Sequence, residues 1–231
     1  TNTGNGVVAV ALHVVDATPT ALRAADACGN TLDSAQIVIR NIELEQEGGA
    51  DNELRSGPHL IDLSQADLGG SLQTDFAELE IPQGTYDQLK FKIHKLESGD
   101  PDDAAAAAAD PVLAELLSAG ESVRIEGTNA DTGGFTFESD LNEELEREAG
   151  VVVGDSVSGI DGLTLTIDPN GWFGAVGDCL DPGAEENKSP IEENIKASID
   201  GSEDDDHDGE DDADEEAETD EEPDETDTEP S

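Results

Sequence analysis

The sequence predicts a mainly β protein, a two-sheet antiparallel β-sandwich, and three observations support this fold class. Short runs rich in β-branched residues alternate apolar and polar side chains, as in 162–168 (GLTLTID). Turn residues separate these runs, and there is no regular strand–helix alternation of the kind that builds a parallel sheet. Two helical stretches interrupt the pattern. We expect them as a small insertion at about 100–119 and a docked helix at about 190–199.

The strands are predicted from the period of their apolar residues. The first, 7–15, is apolar on both faces, which is typical of a central strand. In 34–46 the alternation changes register after Ile39, which predicts a β-bulge near Arg40–Asn41. The other strands are expected at 59–63, 76–82, 85–97, 122–128, 134–141, 144–153 and 162–168.

The two helical stretches carry start signals. An alanine run has the best helix propensity, and Asp102 or Asp103 can cap it, while Asp110–Pro111 can start a second short helix. Near the C-terminus, Ser189 is expected to cap a helix that has Pro190 at its first position. Its apolar stripe, which should dock on a sheet, is Ile191, Ile195 and Ile199.

The charge balance excludes several partners. Acids outnumber bases 58 to 10, and the formal net charge is −48. Phosphate groups are bound by Lys and Arg, so nucleic acid and anionic membrane surfaces are not expected partners. Cations are the natural counterparts. The composition resembles that of halophilic proteins, in which surface charge maintains solubility while salt screens it.

We expect three segments along the chain. Residues 1–6 form a flexible lead, 7–200 form the β-sandwich domain, and 201–231 form an acidic low-complexity tail. No large apolar residue follows Ile199, so the tail cannot bury a core and is expected to be disordered without a ligand. There is no methionine and no long apolar run, from which we expect a removed export signal and no membrane-spanning segment.

The only two cysteines, Cys28 and Cys179, lie far apart in the sequence. An isolated pair in an exported chain predicts one disulfide, and two free thiols are the alternative. With the removed export signal, this pair places the protein outside the cell or on its surface.

Two segments, 16–44 (DATPTALRAADACGNTLDSAQIVIRNIEL) and 79–97 (LEIPQGTYDQLKFKIHKLE), resemble a family of uncharacterised exported β-domains of bacteria and archaea, many of them lipoproteins. The shared features are an early Asp-Ala pair, the strand Val38 to Leu44 and the turn from Ile81 to Tyr86. The resemblance extends over about 7–210 and includes the acidic tail. It implies an exported β-domain of unknown function and brings no catalytic residues.

The acidic tail contains a twelve-residue stretch with the spacing of a helix–loop–helix calcium site. Gly209 occupies position 6, where such loops turn sharply. The candidate metal ligands at positions 1, 3, 5, 9 and 12 are Asp204, Asp206, Asp208, Asp212 and Glu215. Because eleven of the fourteen residues from 203 to 216 are acidic, diffuse cation condensation is the alternative to a weak, specific Ca²⁺ site.

A basic stretch, 90–95 (KFKIHK), holds three of the five lysines. Lys90, Lys92 and His94 are predicted to point outward from one strand, and Lys95 follows them. The lysines can protect an exposed strand edge. Alternatively, Lys90, Lys92, His94 and Lys95 form a dock for an anion: an acidic polymer, a neighbouring subunit or the chain's own tail.

No arrangement of residues indicates catalysis, so we predict a non-enzymatic surface or extracellular protein. One alternative is a subunit of an extracellular filament or matrix, in which the N-terminal strand completes the sheet of another copy. Another is a carbohydrate-binding module that uses Trp172 and Phe173 as a stacking platform, although a buried Trp172 is the simpler expectation. His13, His59 and His94 are expected to be ordinary structural histidines rather than metal ligands.

Overall fold

The computed structural model describes residues 5–14, 28–46, 51–68, 72–153, 161–175 and 177–203. Within them the chain forms two main sheets packed face to face, with a pair of helices on the outer side of the larger sheet. This confirms the predicted mainly β sandwich, its helical insertion and its docked C-terminal helix.

The elements follow the sequence in a simple order. The strands are β1 (Asn5–Val14), β2 (Asn30–Gln46), β3 (Asp51–Ser64), β4 (Leu72–Pro82), β5 (Gly84–Ile93), β6 (Val123–Asn129), β7 (Gly133–Ser139), β8 (Glu143–Val153), β9 (Asp161–Ile167), β10 (Gly174–Ala175), β11 (Asp178–Cys179) and β12 (Ile199–Glu203). The helices are α1 (Gln65–Leu68), α2 (Pro101–Ala109), α3 (Pro111–Ala119) and α4 (Lys188–Ala197). Short 3₁₀ turns lie at Pro169–Gly171 and Glu185–Asn187.

The smaller sheet has the order β12-β9-β1-β4, and the larger has the order β7-β6-β2-β5-β8 with β3 along β2. All pairings are antiparallel except that of β1 with β9, which is parallel. The central position predicted for the first strand is confirmed, because β1 pairs with β4 on one side and β9 on the other.

The bulge predicted in β2 is confirmed. The pairing of β2 with β3 shifts register between Arg40 and Ile42, and the residue between them, Asn41, has a φ of 54°. Asparagine tolerates this left-handed conformation better than most residues. The extra residue returns the next apolar side chains, Ile42 and Leu44, to the core face that Ile39 occupies before it.

Most of the apolar core lies between the two sheets, and aromatic residues close it. Trp172, Phe173 and Tyr86 are fully buried. The hydroxyl of Tyr86 donates to the carbonyl of Pro82 at 2.7 Å, so the Pro-x-Gly-x-Tyr turn is tied back on itself. Burial raises the pKa of this hydroxyl.

The helical insertion forms a third layer over a separate apolar cluster. Val38, on the outer face of β2, packs with Leu96, which precedes the insertion, and with Leu113 and Leu116 of α3. The capping of α2 differs from the prediction: Asp100, not Asp102 or Asp103, is the N-cap, because Pro101 takes the first helical position. The predicted start of the second helix at Asp110–Pro111 is confirmed, and Asp110 is its N-cap.

Helix α4 begins earlier than predicted. The 3₁₀ turn Glu185–Asn187 runs directly into it, so Ser189 and Pro190 already lie inside the first turn. Asn187 is the N-cap and makes no side-chain capping bond, so the predicted Ser189 cap was wrong. Glu192, in the first half of the helix, accepts a hydrogen bond from the hydroxyl of Ser139. The isoleucine stripe docks as predicted, since Ile191, Ile195 and Ile199 are fully buried.

Strand β12 was not predicted. It pairs with β9 as far as Glu203, within the range assigned to the tail, and Arg147 of β8 holds its start through a 2.7 Å bond to the carbonyl of Ile199. The tail from residue 204 onward, with the predicted calcium loop, lies outside the described residues.

The predicted disulfide between Cys28 and Cys179 is confirmed. It joins the chain just before β2 to the small β10–β11 hairpin, across a sequence separation of 151 residues. A link of this span restricts the unfolded chain strongly.

Removing this link should destabilise the fold. For the double variant Cys28→Ser, Cys179→Ser, we expect the free energy of unfolding to fall by about 3–5 kcal/mol, since the unfolded chain regains its loop-closure entropy. Urea unfolding at constant salt concentration measures the difference. Each single variant should have the same free energy of unfolding as the double variant, because either change removes the disulfide. A double variant as stable as the native chain would contradict this account.

Candidate functional site

The basic stretch lies on a central strand, not at an edge. Strand β5 pairs with β2 on one side and β8 on the other, so the predicted role of its lysines in guarding an edge was wrong. His94 lies on the outer face of the sheet, as predicted, but it is not in solvent: Asp103 of α2 covers it, and this side chain is only 6% exposed.

Acidic residues of the neighbouring strands flank Lys90 and Lys92. Lys92 lies opposite Glu144 of β8, and Lys90 lies opposite Glu146 of β8 and Glu43 of β2. Lys90 also forms an ion pair with Glu45. An approaching anion would therefore meet carboxylates on both sides of Lys90 and on one side of Lys92, whose partner on β2 is Arg40. Anion docking at this stretch stays a prediction, and the surrounding charge disfavours it.

Lys95 belongs to a different surface. Its ammonium group lies 3.0 Å from Asp140, which also lies 3.5 Å from Lys188 at the start of α4. The hydrogen bond from Lys95 holds the pKa of Asp140 below its ordinary value. The four residues predicted as one dock are thus divided among the outer face of the sheet, this surface pair and a buried cluster.

That cluster, which we call the hairpin clamp because it holds the helical hairpin formed by α2 and α3, consists of Arg40, His94, Asp100, Asp102 and Asp103. Arg40 reaches from β2 to the start of α2, where its Nη1 lies 2.8 Å from Asp100 and 3.2 Å from Asp103. Its Nη2 lies 3.4 Å from Asp102, which is largely exposed. The hydrogen bond to Asp100 raises the pKa of Arg40 and, in return, lowers the pKa of Asp100.

Asp103 is the centre of the clamp and is completely buried. Its two oxygens lie 3.0 and 2.9 Å from Nε2 of His94, and one of them accepts the backbone N–H of Glu97 at 2.8 Å. A carboxylate only accepts hydrogen bonds, so Nε2 of His94 carries the proton. Asp103 therefore has an imidazole, a guanidinium and a backbone amide as partners, which offsets the cost of burying its charge.

Two nitrogen atoms of the clamp lack a partner among the described residues: Nδ1 of His94 and Nε of Arg40. A histidine–aspartate pair with one free ring nitrogen is an arrangement used in general base catalysis. Here Nδ1 is buried, so a substrate has no access to it in this conformation. The arrangement instead fastens α2 to the outer face of the sheet.

The sequence contains a local signal for this clamp, although none of the predicted sites includes it. His94 and Asp103 are only nine residues apart, and an acidic cap sequence, Asp100 to Asp103, follows the basic strand directly. A helix that folds back over the strand brings the two together. The contribution of Arg40 depends on the distant strand β2 and has no local signal.

Trp172 is part of the core. It is completely buried, and its Nε1 donates to the hydroxyl of Ser198 at 2.7 Å. The predicted sugar-stacking platform was therefore wrong, and the expectation of a buried Trp172 is confirmed. In the described part of the chain, no group of three His, Cys, Asp or Glu residues could hold a metal ion.

Comparisons with known proteins give one distant likeness. No family model matches the sequence, and no curated protein matches it. Among solved structures, MbnP from Methylosinus trichosporium is similar with a TM-score of 0.37 and 14% sequence identity, over 72% of this chain and 76% of that chain. A similarity this low carries no argument about function. No helix in the described ranges is long and apolar enough to cross a membrane.

The clamp makes a specific mutational prediction. Asp103→Asn should destabilise the attachment of α2 and α3 by about 2–4 kcal/mol, because Arg40 and His94 lose a buried charged partner. Asp102→Asn is the matched control: it removes an exposed pair and should cost less than about 1 kcal/mol. Hydrogen exchange of the α2 and α3 amides measures the difference. Equal effects of the two changes would contradict the central role of Asp103.

The clamp should also loosen in acid. The folded-state pKa of Asp100 is lowered, so its ionisation stabilises the fold above its ordinary pKa of 3.8, and this is lost as the pH falls below that value. We expect α2 amides to lose protection below about pH 4. Asp100→Asn should weaken this pH dependence.

Asp140→Asn is the control for the acid experiment. The pKa of Asp140 is also lowered, but its partners are Lys95 and Lys188, away from α2. This variant should keep the pH dependence of α2 protection. An unchanged profile in Asp100→Asn would show that the Asp100–Arg40 pair does not control the attachment.

Proposed function

We propose that this chain is an exported, non-enzymatic protein of the cell surface or extracellular space, whose acidic tail responds to cations. The observation that carries the proposal is the disulfide between Cys28 and Cys179. Such bonds form and persist in oxidising compartments and are rare in the reducing cytosol.

The arrangement of charges supports an ionic role for the surface. Arg124 lies between Glu121, at 2.8 Å, and Glu115, at 3.7 Å. Lys196 likewise pairs with both Glu143 and Glu193 at 2.8 Å. Each of these two basic side chains is shared by two carboxylates, and the chain has far more acids than bases. Dissolved cations must therefore balance the remaining negative charge. Salt screens the repulsion between the carboxylates.

The tail starts from a fixed point. Strand β12 is paired with β9 up to Glu203, at the edge of the smaller sheet. In the sequence, the calcium-type spacing begins at the next residue, Asp204. A loop of this kind with few rigid supports would bind Ca²⁺ weakly, with a Kd of about 10⁻⁴–10⁻³ M.

The other candidate functions receive less support. In this chain β1 is already hydrogen-bonded on both sides, so completing the sheet of another copy would require its withdrawal from its own sheet. The carbohydrate-binding alternative depended on an exposed Trp172, which is buried.

Calorimetric titration of Ca²⁺ into the full chain and into a 1–203 truncation tests the cation response. We expect binding heat in the full chain that disappears in the truncation, which keeps β12 intact. Binding heat that remains after truncation would show that Ca²⁺ binds to the folded body and not to the tail. No Ca²⁺-dependent heat in the full chain at low salt would reject the proposal.

Two charge-matched tail variants separate a specific loop from a charge cloud. The first replaces the five candidate ligands with amides: Asp204, Asp206, Asp208, Asp212 and Glu215. The second makes the same number of changes further along: Glu218, Asp220, Glu221, Glu222 and Asp224. If the loop is a specific site, only the first variant should lose saturable Ca²⁺ binding. Equal losses in both would indicate diffuse condensation.

A further inference from the structure

The edge strands of the two sheets differ in how they are protected against pairing with another chain. Exposed edges are usually blunted by bulges, proline or charge. Strand β3 has register shifts and Pro58, and β4 has a register shift and Pro82. Strand β8 has a register shift and a row of glutamates, and β12 lies against it. Each of these edges therefore has at least one feature that disfavours further pairing.

Apart from the charge of Glu138, strand β7 has none of these features. It pairs with β6 in an uninterrupted register from Gly133 to Ser139, and it contains no proline, lysine or arginine. Its inner side is well supported, because the rings of Phe135 and Phe137 both pack edge-on against Phe173 at 5.3 and 6.3 Å. The strand is thus a regular and firmly held edge.

The outer edge of β7 is open in the described part of the chain. Within those residues, its backbone bonds run to β6 and to Ser122, and none runs outward from β7. The side chain of Thr136, at the middle of the strand, is exposed. Backbone groups on such an edge can pair with an added strand.

We propose that β7 is an interface between two copies of this chain, which pair antiparallel about a twofold axis at Thr136. This register places Thr136 opposite Thr136, Phe135 opposite Phe137 and Gly134 opposite Glu138. No like charges face each other, although the chain has a net charge of −48. If two copies instead paired through β8 about a twofold axis at Glu146, glutamates would lie directly opposite one another, which is unfavourable.

The overall charge sets the conditions for this pairing. Two copies of so acidic a chain repel each other at low salt, and salt screens that repulsion. A single pair of seven-residue strands is also a small interface. The pairing is therefore weak, and it forms at high salt and high protein concentration. This inference stands apart from the proposed cation response of the tail.

Cysteine cross-linking tests the register directly. In Thr136→Cys, opposing residues at the axis lie about 4.5–5.5 Å apart between Cα atoms, within reach of a disulfide. In Glu138→Cys the two copies of residue 138 lie about 13 Å apart along the strands, which is too far. We expect Thr136→Cys to give a covalent dimer at high salt under mild oxidation, and Glu138→Cys to stay monomeric. No dimer from Thr136→Cys, or equal dimer from both, would overturn the proposal.

A charge variant tests the pairing independently. Light scattering measures whether the folded variant is a monomer or a dimer. Thr136→Lys lowers the net negative charge, which by itself favours association, but it sets two lysines opposite each other at the axis. Thr85→Lys adds the same charge at an exposed position of β5. At a salt concentration where the native chain dimerises, we expect Thr136→Lys to be monomeric and Thr85→Lys to dimerise. A native chain that is monomeric under all conditions, or a Thr136→Lys dimer, would overturn the proposal.

Discussion

Strand β2 carries buried apolar side chains on both faces, and the other layers are arranged around it. Its inner face carries Ile37, Ile39 and Leu44 into the core between the sheets, and its outer face carries Val38 into the cluster beneath the helices. One edge pairs with β3, and the other pairs first with β6 and then with β5. The bulge at Asn41 keeps both faces in register with their partners. Without it, the second half of the strand would present its apolar side chains to the wrong layer.

The same strand supplies the cation that makes the helical layer specific. Apolar packing on Val38 is not directional, so it could accept the hairpin in more than one orientation. Arg40, two residues further along, contacts Asp100 and Asp103. Burying Asp103 is costly unless all its partners are in place, so the clamp favours one position of α2 over others. We interpret the clamp as a device for orientation, with the leucines of the hairpin providing most of its attraction to the sheet.

Electrostatics acts on this protein at two distances. At short range, basic side chains such as Arg40, Arg124 and Lys196 are held between carboxylates. These ion pairs hold β8, α4 and the helical hairpin in place. At long range, the excess of acids repels other copies and attracts dissolved cations. Salt weakens both effects, but it weakens the long-range repulsion more, because buried and closely paired charges are less screened. The same composition therefore accounts for short-range ion pairs that salt weakens little. It also accounts for the proposed pairing of two copies only at high salt.

The sequence by itself determined the features that depend on neighbouring residues. The strand period, the bulge near Asn41 and the start of α3 at Asp110–Pro111 were all predictable, because each depends on a short stretch of chain. The expected export of the chain and the presence of only two cysteines predicted the disulfide. The candidate site was predicted much less well, since His94 was recognised but placed in solvent.

Only the tertiary structure decided the features that depend on distant partners. Alternation within β5 indicated that His94 lies on the outer face, but not that α2 covers it or that Arg40 of β2 meets Asp103 there. Strand β12 and the parallel pairing of β1 with β9 likewise require partners far away in the sequence. Periodicity assigns a side chain to a face, whereas burial depends on which element the whole fold places over that face.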